Sequence, residues 1–122
     1  MRKKKRDYSL FIDDILRAID KIERYASVET FQEFSRNEMA IDAVIRNFEV
    51  IGEAARSIPE EIRKKYPHVE WQEMVGFRNV LIHEYFGIDV ESVWDTIQNN
   101  IPALKEHVLE MKRDNEHPSL FK

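Results

Sequence analysis

The sequence predicts an all-α protein, an antiparallel up-and-down bundle of four to five helices with no strands. Apolar residues recur every three or four positions along most of the chain, which is the period of a helix that buries one face. No segment alternates apolar and polar residues over the length of a strand. The composition agrees, because the 122 residues are 43% hydrophobic and 34% charged with only three glycines and four prolines.

Composition and charge limit the class of protein. The length suits a single domain over residues 1–122, with a basic tail at 1–6 and a frayed tail at 114–122. Cysteine is absent, which excludes disulfides and thiolate metal sites and fits a cytoplasmic location. The net charge of -4 argues against a dedicated nucleic-acid binder but not against an enzyme that contacts RNA briefly. We expect no membrane span, because no run approaches the roughly 18 apolar residues required.

The first predicted helix covers residues 8 to 26. Its apolar residues share one face, and its charged residues occupy the opposite face. The apolar set is Tyr8, Phe11, Ile12, Ile15, Ile19 and Ile22. After a loop at 27–29, Thr30 and Glu33 have the spacing of a capping box, in which each side chain bonds the backbone N–H of the other residue. This spacing predicts a short second helix.

The third predicted helix begins at another capping-box spacing, at 35–38, and carries a regular apolar stripe. The stripe consists of Ile41, Val44, Ile45, Phe48, Ile51, Ala55 and Ile58. Gly52 and the alanines at 54–55 are small enough to let another helix approach closely, although the glycine costs the helix about 1 kcal/mol. Pro59 ends this helix and suits the first turn of a short fourth helix at 60–65.

The fifth predicted helix runs from Glu70 to Gly87 and carries the most chemistry. Its apolar stripe is Trp71, Met74, Val75, Leu81, Ile82, Tyr85 and Phe86. Arg78 lies within this stripe, and a buried charge needs an anion partner because an unpaired one costs several kcal/mol. Asn79 and His83 are four residues apart, so they share the neighbouring helix face. Gly87 suits a left-handed C-cap.

The last predicted helix begins at the N-cap Asp89 and has a heptad-like seam. Its apolar residues, alternately four and three apart, are Val90, Trp94, Ile97, Ile101, Leu104, Val108 and Met111. We assign the seam to the bundle core, with a subunit interface as the alternative. Pro102 removes the hydrogen bond to the carbonyl of Gln98, so we expect a kink rather than a break.

Arginine, asparagine and histidine in this order suit cleavage of RNA without a metal. A base takes the proton of a 2′-hydroxyl, which attacks the adjacent phosphate while an acid protonates the leaving oxygen. Histidine transfers protons near neutral pH, the arginine fork neutralises phosphate oxygens, and asparagine orients either group. Arg78 and His83 are, however, about 140° apart around an ideal helix. A two-fold homodimer would bring two copies of each into one cleft.

The stretch Arg78–Tyr85 resembles the signature of HepT-type toxins of the HEPN superfamily. The signature is arginine, a polar residue, three further residues, histidine, any residue and tyrosine. The similarity extends to Ile51–Ala55, to Trp71 with the segment 74–78, and to Ile101–Leu104 late in the last helix. It covers most of the chain and implies a HEPN-like helical bundle.

The resemblance also implies a function. It implies a homodimeric, metal-independent ribonuclease acting on tRNA or mRNA, as the toxin of a toxin–antitoxin pair. Arg78 and His83 would be catalytic and Asn79 would support them, with no cofactor. The implied partner is an MntA-type nucleotidyltransferase antitoxin, which would use ATP to add AMP to Tyr85. The added phosphate would block RNA by charge and volume. Glu53 is a candidate supporting residue.

Each of these residues also has a structural interpretation. Arg78 could pair with Glu49 or Glu53 inside a dimer. His83 could be a hydrogen-bonded residue at a helix end, and Tyr85 could be a core residue whose hydroxyl reaches outward.

The alternative function is a non-catalytic docking subunit that dimerises and binds the nucleotidyltransferase. We predict no metal site, since the remaining histidines lack the paired spacing of ligands. These are His68, His107 and His117.

Overall fold

The protein folds as a helical bundle, seen in a computed structural model that describes residues 3–27, 30–83 and 87–116. The helices in these ranges are α1 (Lys3–Tyr25), α2 (Phe31–Ser35), α3 (Glu38–Ser57), α4 (Glu60–Arg63), α5 (Trp71–Leu81), α6 (Val90–Asn99) and α7 (Ile101–Glu116). Two strands, β1 (Ile82–His83) and β2 (Gly87–Ile88), pair antiparallel. The predicted all-α bundle is confirmed, but the prediction of no strands missed this two-residue pair.

The core lies where α1 packs along α3, with α5 also packed against α3 and α7 against α1. The isoleucines of the predicted α1 stripe are buried, as are all seven residues of the predicted α3 stripe. Tyr8 and Phe11 are partly buried against them. Each fully buried large apolar side chain contributes about 1.5–3 kcal/mol, so these two stripes account for much of the driving force that forms the bundle.

The starts of α2 and α3 are fixed by side-chain caps. Thr30 accepts a hydrogen bond from the backbone N–H of Glu33 at 3.1 Å, as predicted. At α3 the capping residue is Asn37, whose side chain accepts from the N–H of Ala40 at 3.0 Å. The predicted start of the third helix at Ser35 is therefore wrong by a few residues, because Ser35 still belongs to α2.

The contact between α3 and α5 depends on a glycine. A Cβ at Gly52 would lie 3.0 Å from the carbonyl oxygen of Met74, so the two helices meet with almost no side chain between them. The predicted close approach is confirmed. Met74 and Phe77 are buried here, and the Phe77 ring meets Phe48 edge-on with centroids 4.8 Å apart. Phe77 was absent from the predicted stripe, which named the half-buried Val75 instead.

The predicted last helix is two helices. Asp89 caps α6 as predicted and accepts from the N–H of Ser92 at 3.2 Å. The helical pattern then stops at Asn100 and restarts at Ile101. Pro102 lies in the first turn of α7, where a missing N–H removes no helical bond. The expected kink is thus a break, and the seam residues from Ile97 to Met111 are buried in the core.

The helix ends differ from the predicted bounds in three further places. α1 begins at Lys3, inside the predicted basic tail, and α7 runs to Glu116, so residues 114–116 are helical. α4 ends at Arg63, two residues before its predicted end at Lys65. Within the described ranges, no helix combines the length and the apolar character needed to cross a membrane.

Candidate active site

The segment with the predicted site residues changes from helix to strand. Arg78 and Asn79 lie in the last turns of α5, which ends at Leu81. His83 lies in β1, opposite Gly87 in β2, and Ile82 is opposite Ile88. The predicted helix from Glu70 to Gly87 is therefore too long. Strand pairing explains the early end, because backbone groups that bond across strands are not available to the helix.

The early helix end alters the predicted geometry of the site. Asn79 and His83 do not share a helix face, and the angle of about 140° between Arg78 and His83 does not apply, because His83 is beyond the helix. The structure describes the backbone of these three residues but not their side chains, and Tyr85 lies outside the described ranges. Their predicted roles in catalysis and AMP addition remain predictions.

Gly87 supplies the backbone conformation that the strand pair requires. Its φ is +84°, in the left-handed region that residues with a Cβ rarely adopt. The predicted left-handed conformation is confirmed, but Gly87 is a strand residue rather than a helix C-cap. It pairs with His83, and Tyr85 lies midway between the two along the sequence. The pair thus ties the backbone on both sides of the tyrosine.

A cleft of about 360 Å³ lies between α1, α3 and α5. Val75 lines it from α5, one turn before Arg78, and Glu53 lines it from the exposed side of α3. The other charged residues of the lining are Asp14, Arg46, Glu49 and Arg56. Glu53 forms no side-chain ion pair within the described residues. Glu53 therefore lines the same cleft as Val75, and its role as a supporting residue remains a prediction.

The N-terminal end of α5 is anchored to α7 through Tyr66. The indole Nε1 of Trp71 donates to the carbonyl oxygen of Tyr66 at 2.9 Å, and the Tyr66 hydroxyl donates to Asp114 Oδ2 at 2.9 Å. Burial, followed by the hydrogen bond to Asp114, raises the pKa of Tyr66. Burial and the charge of Asp114 also raise the pKa of Tyr8. These contacts fix the direction in which α5 leaves the preceding loop.

Two histidines add a second link between the same elements. His68 Nε2 lies 3.1 Å from Glu110 Oε1, and His107 Nδ1 lies 3.2 Å from Glu70 Oε1. The two imidazole rings meet edge-on with centroids 4.9 Å apart. The sequence carries no spacing signal for this cluster, because its members are far apart in the chain. Within the described ranges, no group of three or more histidine, aspartate or glutamate side chains is arranged so that it could hold a metal ion.

With the fold and the motif segment defined, comparison with known proteins decides the family. The family described as ribonuclease HepT-like matches residues 15–111. This chain belongs to the HepT-like family. The match contains the whole of Arg78–Tyr85 and confirms the resemblance drawn from the sequence.

Relatives of this HepT-like chain are similar over nearly their full length. A Methanocaldococcus jannaschii protein named a "putative RNase" is 43% identical over 92% of this chain and 97% of its own length. A second protein with that description from the same organism is 42% identical over 92% and 93% of the two chains. A "probable ribonuclease HepT" from Thermococcus cleftensis is 40% identical over 83% and 92%. No solved structure matches significantly.

Proposed function

We propose that this HepT-like chain is a metal-independent endoribonuclease whose catalytic residues lie where α5 gives way to β1. The observation that carries the proposal is the match to a ribonuclease family across residues 15–111, which contain the complete Arg78–Tyr85 motif. The names of the relatives support an activity on RNA. The change from helix to strand supports this location of the active site. Because His83 lies in β1 and Arg78 in α5, the two residues are not held apart by the geometry of one helix.

The proposed chemistry assigns one task to each residue. Arg78 neutralises the phosphate oxygens as charge develops, which suits its fixed charge and planar fork. His83 transfers protons, taking one from the attacking 2′-hydroxyl or giving one to the leaving 5′-oxygen. Asn79 orients these groups. The products are a 2′,3′-cyclic phosphate and a 5′-hydroxyl, so this step consumes no water.

Cleavage of RNA in the presence of EDTA tests this proposal. We expect the purified protein to cut single-stranded RNA and to leave cyclic phosphate ends. Arg78→Ala should lower the rate by a factor of about 10² or more, since removing one group that stabilises developing charge has effects of this size. Arg113→Ala, which removes an exposed arginine on α7, is the matched control and should keep the rate. Cleavage that requires a divalent metal, or an unaffected Arg78→Ala variant, would contradict the proposal.

We also propose that the active site is shared between two copies of the chain. One histidine can hold one proton at a time, whereas the reaction needs a base and an acid, and a two-fold axis would supply both. Mixed dimers of one wild-type and one His83→Ala subunit, of proven composition, test the sharing. We expect such dimers to lose nearly all cleavage, because one site then lacks either its base or its acid. Mixed dimers that keep half of the wild-type rate would place a complete site within each chain.

The proposed biological role is that of a toxin silenced by a nucleotidyltransferase antitoxin. Tyr85 lies two residues from both His83 and Gly87, so AMP on its hydroxyl would place charge beside the proposed active site. Incubation with ATP and the nucleotidyltransferase should add the mass of AMP, release pyrophosphate and stop cleavage. Tyr85→Phe should gain no mass. If neither cleavage nor toxicity is found in the folded protein, the non-catalytic docking subunit becomes the better assignment.

A further inference from the structure

A groove lies between α4 and α5, and we propose that it binds single-stranded RNA. It has a volume of about 300 Å³ and is lined by Glu60, Arg63, Lys64, Trp71 and Gln72. We refer to it as the α4–α5 groove. The proposal rests on the ribonuclease function proposed above and adds the surface that holds the substrate next to the motif.

The groove is lined by two cationic side chains, Arg63 and Lys64. Among the described residues, neither Arg63 nor Lys64 forms an ion pair, and the Arg63 Nε is buried without a hydrogen-bond partner. A desolvated guanidinium nitrogen without a partner is unfavourable and is stabilised by an anion. Among the described lining residues the carboxylate is that of Glu60, and its side chain forms no ion pair with either cation. The groove therefore suits a phosphate backbone.

The groove also offers an aromatic side chain held in a fixed orientation. Trp71 packs partly against the core while lining the groove, and its Nε1–H is held by the Tyr66 carbonyl at 2.9 Å. An aromatic ring beside cations is how proteins hold single-stranded nucleic acid, because bases stack on the ring while the cations follow the backbone. Gln72 adds an exposed amide that can donate to a base or phosphate.

The direction of α5 connects the groove to the proposed active site. Trp71 and Gln72 precede Arg78 and Asn79 by seven residues, which is about two helical turns and about 10 Å along the axis. Seven residues return almost to the same side of a helix. A strand bound in the groove and lying along α5 would therefore reach the motif within a few nucleotides. This local surface also accounts for RNA binding by a chain with a net charge of -4.

Binding to an uncleavable RNA tests the groove. A short fluorescein-labelled 2′-O-methyl oligoribonucleotide lacks the attacking hydroxyl, so its anisotropy reports binding alone. We expect Arg63→Gln with Lys64→Gln to weaken binding about tenfold or more, and to reduce the slope of log K against log salt by about 1.4 for two lost phosphate contacts. The matched control is Arg36→Gln with Arg113→Gln, which removes two exposed arginines outside the groove and should leave the slope unchanged.

Tryptophan fluorescence reports the stacking. Trp94→Phe leaves Trp71 as the only tryptophan of the chain, and the ring contacts of position 94 with Phe31 and Phe34 can be kept by phenylalanine. In this background the oligonucleotide should quench the fluorescence of Trp71 with the same concentration dependence as the anisotropy. Trp71→Leu should weaken binding in the anisotropy assay by about fivefold or more.

The outcomes separate this inference from the proposed function. Equal effects of the groove variant and the control variant on affinity and slope would overturn the inference, as would binding without quenching of Trp71. Cleavage of ordinary RNA by the same preparation would then show that the ribonuclease function stands and that the substrate lies elsewhere. A wild-type protein that neither binds the oligonucleotide nor cuts RNA would overturn both.

Discussion

The two ends of α5 differ in what surrounds them. At its start, Trp71 is bonded to the Tyr66 carbonyl and Glu70 to His107, and Met74 lies against the backbone of α3 at Gly52. At its end the helix stops at Leu81 and passes into the strand pair that contains His83. The first end is built from buried apolar groups and satisfied polar groups, and the second carries the stretch Arg78–Tyr85, in which we propose the active site. One helix thus joins a structural region to the proposed chemical region.

This comparison predicts that substitutions in the two regions have separate effects. Changes around Gly52, Met74 and Phe77 should alter the free energy of unfolding. Changes at Arg78 and His83 should alter cleavage while the fold remains. Activity per folded molecule should therefore change only in the second group, unless the substitution displaces the helix.

The largest expected effect on stability is that of Phe77→Ala. The Phe77 side chain is 5% exposed and its ring meets Phe48, so truncation leaves a cavity between α3 and α5. We expect a loss of about 3–5 kcal/mol in the free energy of unfolding, measured by urea denaturation. Val75→Ala, on the same helix but half-buried and facing the cleft, should lose much less. Similar losses for both variants would contradict the assigned buried face of α5.

The two glycines of the α3–α5 pair give an opposed prediction. Gly52→Ala would place a Cβ 3.0 Å from the Met74 carbonyl oxygen, and overpacking of this kind costs about 1–3 kcal/mol. A Cβ at Gly76 meets no described atom within 4 Å, so Gly76→Ala should stabilise α5 by about 0.5–1 kcal/mol. Thermal unfolding of the two variants checks both signs. Stabilisation by Gly52→Ala would show that the helices separate freely at this point.

A smaller effect is expected at the anchor of α5 and depends on pH. Tyr66→Phe removes the hydrogen bond to Asp114 and should cost about 1 kcal/mol near neutral pH. Because the folded protein raises the pKa of Tyr66 above its ordinary value of 10.0, this contribution is complete below that pH and declines as the pH rises above it. Urea denaturation at neutral and alkaline pH should show the difference between wild type and Tyr66→Phe shrinking. A constant difference would contradict the assigned pKa shift.

The sequence predicted the bundle well because its signals are local and periodic. The stripes of α1 and α3 follow from spacing alone, and Gly52 could be assigned to a close helix contact from its size and neighbours. The end of α5 was missed because the apolar residues after Leu81 continue a helical pattern. The backbone conformation there is set instead by the pairing of β1 with β2, which contains Gly87. Pro102 indicated from the sequence where the last predicted helix is irregular, but the sequence did not distinguish a kink from a break between two helices.

The candidate site was predictable only in part, for a different reason. The motif residues were found by their order in the sequence, and the family match confirms the resemblance. The Tyr66–Asp114 bond and the pair formed by His68 and His107 join positions tens of residues apart. No local pattern encodes such contacts, because they exist only after α7 has packed against the loop before α5. The same holds for the α4–α5 groove, whose lining comes from two elements.

The most direct test of the account is a paired measurement on His83→Ala, comparing its free energy of unfolding with its rate of RNA cleavage in EDTA. Because His83 lies beyond the end of α5, we expect unfolding close to that of the wild type. We expect the cleavage rate to fall by a factor of about 10² to 10⁴, the range for loss of a general acid or base. A folded His83→Ala variant that cuts RNA at the wild-type rate would contradict the assignment of the chemistry to this end of the helix.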